Sequence, residues 1–380
     1  MILNEVREKI DRIDDKLIAL FEERMKLAAE VAEVKKANNL PVFSPKRERE
    51  ILAKVTSQLP DNLAIYAKSF FTTLFDVSSS YQSRLIGTES ALEDRIRKAI
   101  ETSPKELPKK AIVACQGVEG SYSQAVCDRL FPLPSIMYFA SFESVFRAVE
   151  QNLCRYGILP IENSLHGSVT EVYDLMHKYN FHIVKSVKQK ISHTLLVNKG
   201  VKLSDIKEIY SHEQAIGQCS EFLASLKDVK VNYSPNTAIA AKFVAESGRT
   251  DIAAISSQNC ADIYGLEVLS SDIQNSDSNF TRFICISKEF EVFPGADKIS
   301  IMVTTAHRPG SLYRLISKFA VMGINLTKLE SRPIPGKDFE FKFYFDIEAS
   351  VYNDDVLDLL GELSGTPETF SFLGAYSEMA

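Results

Sequence analysis

Arg24 and Lys35 stand eleven residues apart in a stretch, 4–37, that contains neither Pro nor Gly. On a helix that offset is about 20 degrees around the axis and about 16 Å along it, so the two cations can grip one small molecule from its two ends. Apolar residues recur at Val6, Ile10, Ile13, Leu17, Leu20, Leu27, Val31 and Val34 in steps of four and three, a rhythm that asks for an apolar side chain at position 24. Arg24 breaks the stripe instead. A ligand-binding guanidinium, a buried ion pair or a register-fixing polar residue would each break it in this way.

The elements that must position these cations follow. Ser44 and Pro45 read as the N-cap and first position of a second helix through Glu50, Ile51, Leu52 and Val55. A third helix over about 63–85 has its seam at Ala67, Phe71, Leu74, Ser78, Tyr81 and Leu85, with Gln82 one turn beyond Ser78, so both polar side chains can face one space. Arg7 lies seventeen residues before Arg24, about 100 degrees around and about 25 Å away. It can join the grip only from a second, antiparallel copy of the helix, which would make this segment a dimer.

Arg7, Arg24, Lys35, Pro41, Val42, Arg47, Glu48, Ser78 and Gln82 resemble the ligand set of the all-helical chorismate mutases, over about the first ninety residues. Ser44 departs from that set, where Asp is usual; a backbone N–H contact would survive the change and a carboxylate contact would not. The resemblance implies that Arg7, Arg24 and Arg47 hold carboxylates bidentately. It also implies that Lys35 and Gln82 donate to the ether oxygen of chorismate and that Glu48 accepts from its ring hydroxyl. Such a site needs no nucleophile, because a concerted rearrangement asks only for a folded substrate and stabilised developing charge.

From about Gly87 to Lys110 the chain turns polar and charged and meets Thr102, Ser103, Pro104 and Pro108, which reads as a linker over 91–109. Short apolar runs then alternate with helical stretches, at 111–114, 136–139, 156–159, 183–187, 194–197, 207–210, 229–233, 252–255 and 283–286, and predict an α/β unit over 110–290. The first turn carries Gly117, Gly120, Ser121, Tyr122 and Ser123, either a carboxylate-binding turn or a plain helix cap. It has neither the G-x-G-x-x-G spacing nor a P-loop Lys. Polar clusters also end three strands: Pro160, Ile161, Glu162, Asn163 and Ser164; Ser211, His212 and Glu213; and Asn279, Phe280, Thr281, Arg282 and Phe283. Strand ends of open sheets are where ligands bind.

Those clusters, in that order, resemble prephenate dehydratase. The resemblance implies two lobes like those of a periplasmic solute-binding protein, prephenate in the cleft between them, Thr281 as the catalytic hydroxyl and Arg282 on a carboxylate. Ser121, Glu162, Asn163, Ser164 and His212 complete the expected set, with Glu162 and His212 as the partners to test beside Thr281. The hydroxyl has only to be helped to leave, since aromatisation drives the loss of water and CO₂.

The last eighty residues predict an α+β unit over 298–376 in the order βαββαβ, with strands over 299–304, 324–329, 339–347 and 370–375 and helices over 311–322 and 354–363. Phe339, Phe341, Phe343 and Phe345 alternate with Glu340, Lys342, Tyr344 and Asp346, a half-buried strand with one face toward the helices. Gly310, Ser311 and Leu312 before the first helix, and Glu330, Ser331, Arg332 and Pro333 at the second strand's end, resemble the two motifs of the ACT domain. That resemblance implies phenylalanine bound between two copies of the chain.

The whole chain thus resembles the bifunctional chorismate mutase and prephenate dehydratase family, the P-proteins, which implies feedback by phenylalanine, no cofactor and no metal, and a homodimer with tetramers left open. Composition is consistent with a soluble, cytoplasmic, multidomain protein: 380 residues exceed one ordinary core, 45% are hydrophobic and 25% charged, and the net charge of -6 gives no general attraction to nucleic acid. No apolar run is long enough for a membrane span. The six cysteines are widely spaced and read as buried free thiols. Two other readings fit part of the pattern: a non-catalytic amino-acid or metabolite sensor, against which Thr281 with Arg282 and the set Arg24, Lys35, Gln82 speak, and a dehydratase whose helical segment serves dimerisation only.

Overall fold

The structure, a computed structural model, describes residues 3–38, 40–86, 90–305, 307, 309–334, 336, 340–365 and 369–380. Phe339, which opened one expected strand, lies outside them. The chain divides into two compact units: Met1–Arg95 with Arg308–Val321 and Asn353–Pro367, and Ile96–His307 with Met322–Tyr352 and Glu368–Ala380.

The first unit is helical. Helix α1 (Leu3–Ala37) fills the stretch free of Pro and Gly, and α2 (Pro45–Ser57) and α3 (Asp61–Ile86) follow. Pro45 opens α2, where its missing N–H is no loss. Ser44 takes the N-cap position but its side chain makes no capping bond; its carbonyl accepts from Glu48 N at 3.2 Å. Ala28 and Ala32 are the buried residues of α1, and Phe75, Ser78 and Gln82 those of α3. Small side chains on one helix therefore meet a polar pair on another.

The expected linker is a helix over most of its length, α4 (Ala91–Thr102). Ile96 and Ala99 are buried and Glu93 and Asp94 occupy its first turn, where carboxylates oppose the helix dipole. The density of charge masked the apolar spacing Leu92, Ile96, Ala99. Residues 103–109 alone are neither helix nor strand.

In the second unit β1 (Lys110–Gln116), α5 (Tyr122–Leu130), β2 (Leu133–Phe139), α6 (Phe142–Glu150), β3 (Tyr156–Asn163), β4 (Gly167–Ser168), α7 (Thr170–Tyr179) and β5 (His182–Lys190) open one lobe. The second lobe holds β6 (Thr194–Val197), β7 (Glu208–Ser211), α8 (Glu213–Gln218), α9 (Ser220–Ser225), β8 (Lys230–Tyr233), α10 (Thr237–Ser247), β9 (Ile252–Ser256), α11 (Asn259–Tyr264) and β10 (Glu267–Ser270). Then β11 (Phe280–Ser287) returns to the first lobe and pairs antiparallel with both β3 and β5. The chain thus crosses between lobes twice, and the crossings bond to each other: Ile273 N donates to His193 O at 3.0 Å and Ile191 N to Asn279 O at 2.9 Å. β9 is an apolar run buried throughout, between parallel β7 and antiparallel β6. Two of the short strands, β4 and β10, were not expected from the sequence.

The C-terminal segment keeps the expected order: β12 (Lys298–Thr304), α12 (Ser311–Val321), β13 (Asn325–Pro333), β14 (Phe341–Glu348), α13 (Asp354–Ser364), β15 (Phe370–Tyr376), and a last unpredicted strand, β16 (Glu378–Met379). Its sheet runs β13-β14-β12-β15. The expected half-buried alternation in β14 is overturned: Lys342, Tyr344 and Asp346, on the face read as exposed, are buried. The polar groups on that face have partners, so burial is affordable there; Tyr344 donates to Tyr173 O at 2.7 Å and Asp346 takes Arg282 and Ser300. All six cysteines are free and buried.

Candidate active sites

Helices α1, α2 and α3, with the turn before α2, line an open cavity of about 370 Å³. Arg24, Lys35, Ser44, Arg47, Glu48, Ser78 and Gln82 all line it, beside Leu27, Ala28, Val31 and Phe75. Arg7 does not line it and is exposed, in keeping with its position around α1.

Two arrangements give the cavity its chemistry. Lys35 Nζ donates to Gln82 Oε1 at 2.9 Å and to Val42 O at 2.6 Å. The Gln82 carbonyl is thereby turned toward the ammonium, which leaves its NH₂ on the side of Ser78, 3.4 Å from that hydroxyl. Arg24 Nη1 is buried with no hydrogen-bond partner, and its guanidinium lies 6.0 Å from the Phe75 ring centre. A buried donor left unpaired costs about 1–3 kcal/mol, and an acidic ligand recovers that cost. Burial lowers the pKa of both Arg24 and Lys35 and raises that of Glu48. Arg47 is exposed and pairs with Glu50 at 3.4 Å.

The second group forms where β3 and β11 run side by side, with Thr281 opposite Asn163 and Arg282 opposite Glu162. Neighbouring strand residues face opposite sides of a sheet, so the two cross-strand pairs part company. On one side Asn163 Nδ2 donates to Thr281 Oγ1 at 2.9 Å and to Asn279 Oδ1 at 2.9 Å, while Asn163 Oδ1 accepts from Leu165 N and His166 N, each at 3.0 Å. Asn279 Nδ2 donates to Gln218 Oε1 at 2.9 Å, which also takes His193 Nε2 at 2.7 Å. His193 is buried, its pKa lowered by desolvation, and a neutral ring with the proton on Nε2 fits these contacts. Gln218 and His193 were not among the residues singled out from the sequence, and Asn279 was named only as part of the Thr281 cluster; the three come from separate segments, and no local spacing joins them.

On the other side Arg282 is buried and ion-paired with Asp346 of β14. Glu162 shares that side: it accepts from Lys328 at 2.7 Å and lies 3.7 Å from Arg282 Nε. Ser164 Oγ donates to Ser278 O and accepts from Phe280 N, both at 3.0 Å. His212 sits at the N-cap of α8, where Nδ1 accepts from Gln214 N at 3.3 Å. Ser121 caps α5 by accepting from Gln124 N. The turn before it is pressed close to the second lobe: Gly120 has φ +85, a Cβ there would crowd Cys260, and Ser257 donates to its carbonyl at 3.2 Å.

Of the two C-terminal motifs, Glu330 accepts from Ser168 at 2.7 Å and Arg332 pairs with Asp174 at 2.7 Å. Gly310 has φ +84 and precedes α12, which starts at Ser311 and Leu312. Ser331 lies in β13 opposite Phe343.

Comparison with known proteins identifies both parts of the chain. A family model for chorismate mutase type II matches residues 6–83 and one for prephenate dehydratase matches residues 113–291. The chain is 31% identical to the bifunctional chorismate mutase/prephenate dehydratase of Escherichia coli K12, over 98% of this chain and 95% of that one. It is 38% identical to arogenate dehydratase 2 of Petunia hybrida, over 70% of this chain and 71% of that one. The prephenate dehydratase of Arthrobacter aurescens, solved in complex with L-Phe, superimposes with a TM-score of 0.64 at 28% identity, over 70% of this chain and 89% of that one. The chain belongs to the bifunctional chorismate mutase/prephenate dehydratase family.

Proposed function

We propose that the helical cavity rearranges chorismate to prephenate and that the two-lobed unit converts prephenate to phenylpyruvate. In the first reaction no bond to the protein forms. Arg24, with its unpartnered nitrogen, and Arg47, released from Glu50, hold the two carboxylates; Lys35 and Gln82 donate to the ether oxygen as its C–O bond breaks; Glu48 accepts from the ring hydroxyl. Preorganised donors at a developing oxyanion are each worth about 10²–10³ in rate. The observation that carries this reading is the Lys35–Gln82 bond beside an unpaired buried guanidinium over one cavity.

The second reaction breaks the bond to the ring carboxylate, whose electron pair enters the ring as CO₂ leaves, and expels the C4 hydroxyl, which takes up one proton and departs as water. Thr281 Oγ1 accepts from Asn163, so its own proton is free to point at the leaving oxygen. Ser121, Ser164 and His212 remain candidates for substrate contact.

L-Phenylalanine is the effector proposed for the C-terminal segment, with the backbone of Gly310, Ser311 and Leu312 as its first contact. A homodimer fits the exposed seam of α1, where Ile13 and Leu20 are 56% and 60% exposed. Burying such a stripe against a second copy stabilises it and brings that copy's Arg7 to the cavity. Incubation with chorismate tests the whole reading: prephenate and then phenylpyruvate appear, and added phenylalanine slows the second step. No turnover of either compound, with phenylalanine still bound, would favour a sensor.

A further inference from the structure

We propose that Arg314, on α12, is a positioning residue of the mutase site, standing behind Glu48 and supplying the charge that keeps this carboxylate a hydrogen-bond acceptor. The inference rests on the mutase reading above and adds to it a residue from the C-terminal segment.

Helices α12 and α13 belong to the same compact unit as α1, α2 and α3. The contacts between them are specific. Arg84 of α3 pairs with Asp355 at 2.8 Å and Asp358 at 2.9 Å, Ser80 donates to Glu362 at 3.0 Å, and the hydroxyls of Ser90 and Ser364 lie 3.2 Å apart. Gly361 stands inside α13, where Gly costs roughly 1 kcal/mol relative to Ala. A Cβ at that position would run into the Glu93 carboxyl and crowd Ser90, so the missing side chain permits the close approach.

α12 is tied into the same arrangement. Lys318 pairs with Glu362 at 2.5 Å, and Arg314 lies one turn earlier on the same face. Its guanidinium is 6.0 Å from the ring centre of Phe43, just ahead of α2, and it acts electrostatically on both Glu48 and Asp76. Glu48 lines the cavity; Arg314 does not. The charged groups that bear on Glu48 are therefore Arg314 and Asp76, with Arg24, Lys35 and Arg47 sharing the cavity lining. Lys318 and Glu362 act in turn on Asp76, whose Oδ2 is buried without a hydrogen-bond partner.

The signs are consistent. Burial is the largest influence on Glu48 and pushes its pKa up; Asp76 adds to the rise, and Arg314 opposes both. Two half-buried carboxyls beside each other cannot both stay ionised without a cation. Removing Arg314 lets Glu48 hold a proton at a pH where the substrate hydroxyl needs an acceptor.

The test is the pH dependence of kcat/KM for chorismate in the full-length chain. Arg314→Gln moves the acid limb to higher pH, as expected when a cation that favours the ionised carboxylate is lost. Arg314→Lys brings it back most of the way, and prephenate turnover by the same Arg314→Gln protein is unchanged. Asp76→Asn, which removes the like charge, moves the limb downward and serves as the second measurement should Arg314→Gln fail to fold. Limbs that superimpose on the parent's in the folded variants overturn the inference while leaving the mutase reading intact. A parent chain without chorismate turnover overturns both.

Discussion

Thr281 and Arg282 are adjacent in β11 yet serve opposite faces of their sheet: Thr281 accepts a hydrogen bond from Asn163, and Arg282 forms a buried ion pair with Asp346. One strand therefore carries the proposed catalytic hydroxyl on one side and the tie to the C-terminal sheet on the other. The C-terminal sheet and the proposed catalytic hydroxyl are therefore in contact with neighbouring residues of one strand.

Asp346→Asn removes the nearer of the two carboxylates beside the buried Arg282 guanidinium and leaves only Glu162, 3.7 Å from Nε. Breaking such a pair costs about 3–5 kcal/mol. Thermal unfolding followed by circular dichroism is expected to show a matching fall in stability, with prephenate turnover reduced more than chorismate turnover. An unchanged melting temperature would remove the pair from the account.

Asn163→Ala removes the donor that fixes Thr281 Oγ1. The expected result is a fall in kcat for prephenate of about 10²-fold, within the range for a positioned proton-transfer group, with the fold preserved. Thr281→Val should be at least as severe, and the double variant no worse than the worse single one, because the two residues act as a unit.

Gly374 in β15 has φ +147, and a Cβ there would overlap the backbone of Ile183 in β5. No flexible side chain can give way, so Gly374→Ala is expected to cost several kcal/mol, on the order of 4 or more. Chemical denaturation measures it directly.

His193 is buried and its folded-state pKa is lowered by desolvation. The unfolded chain then binds a proton below pH ~6.5 that the folded chain refuses, so stability falls as pH drops from about 6.5 toward the folded value and is flat below it. His212 and His177, also lowered by burial, act in the same direction. Denaturant midpoints between pH 7.5 and 5.5 should decline for the parent and decline less for His193→Gln.

Much of this was legible in the sequence because it is local. Arg24 announced itself by breaking an apolar rhythm, and Ser78 and Gln82 by sharing one turn of a buried face. What escaped was set by distant segments. Arg282 finds Asp346 sixty-four residues later, and nothing near either residue says so. The polar face of β14 read as exposed because alternation reports polarity, whereas burial also depends on whether partners arrive. The helix over Ala91–Thr102 was hidden by its charges, and the Asn163–Asn279–Gln218–His193 chain exists only once the two crossings between lobes are laid together.

The central claim, that two separate sites in one chain perform two consecutive reactions, is tested most directly by supplying chorismate and prephenate separately to Lys35→Ala and Thr281→Val. The account predicts that Lys35→Ala loses chorismate turnover by about 10²–10³-fold, through loss of an oxyanion donor, while still forming phenylpyruvate from prephenate. It predicts that Thr281→Val converts chorismate and accumulates prephenate. Loss of both reactions in each folded variant, or undiminished phenylpyruvate formation by Thr281→Val, would contradict it.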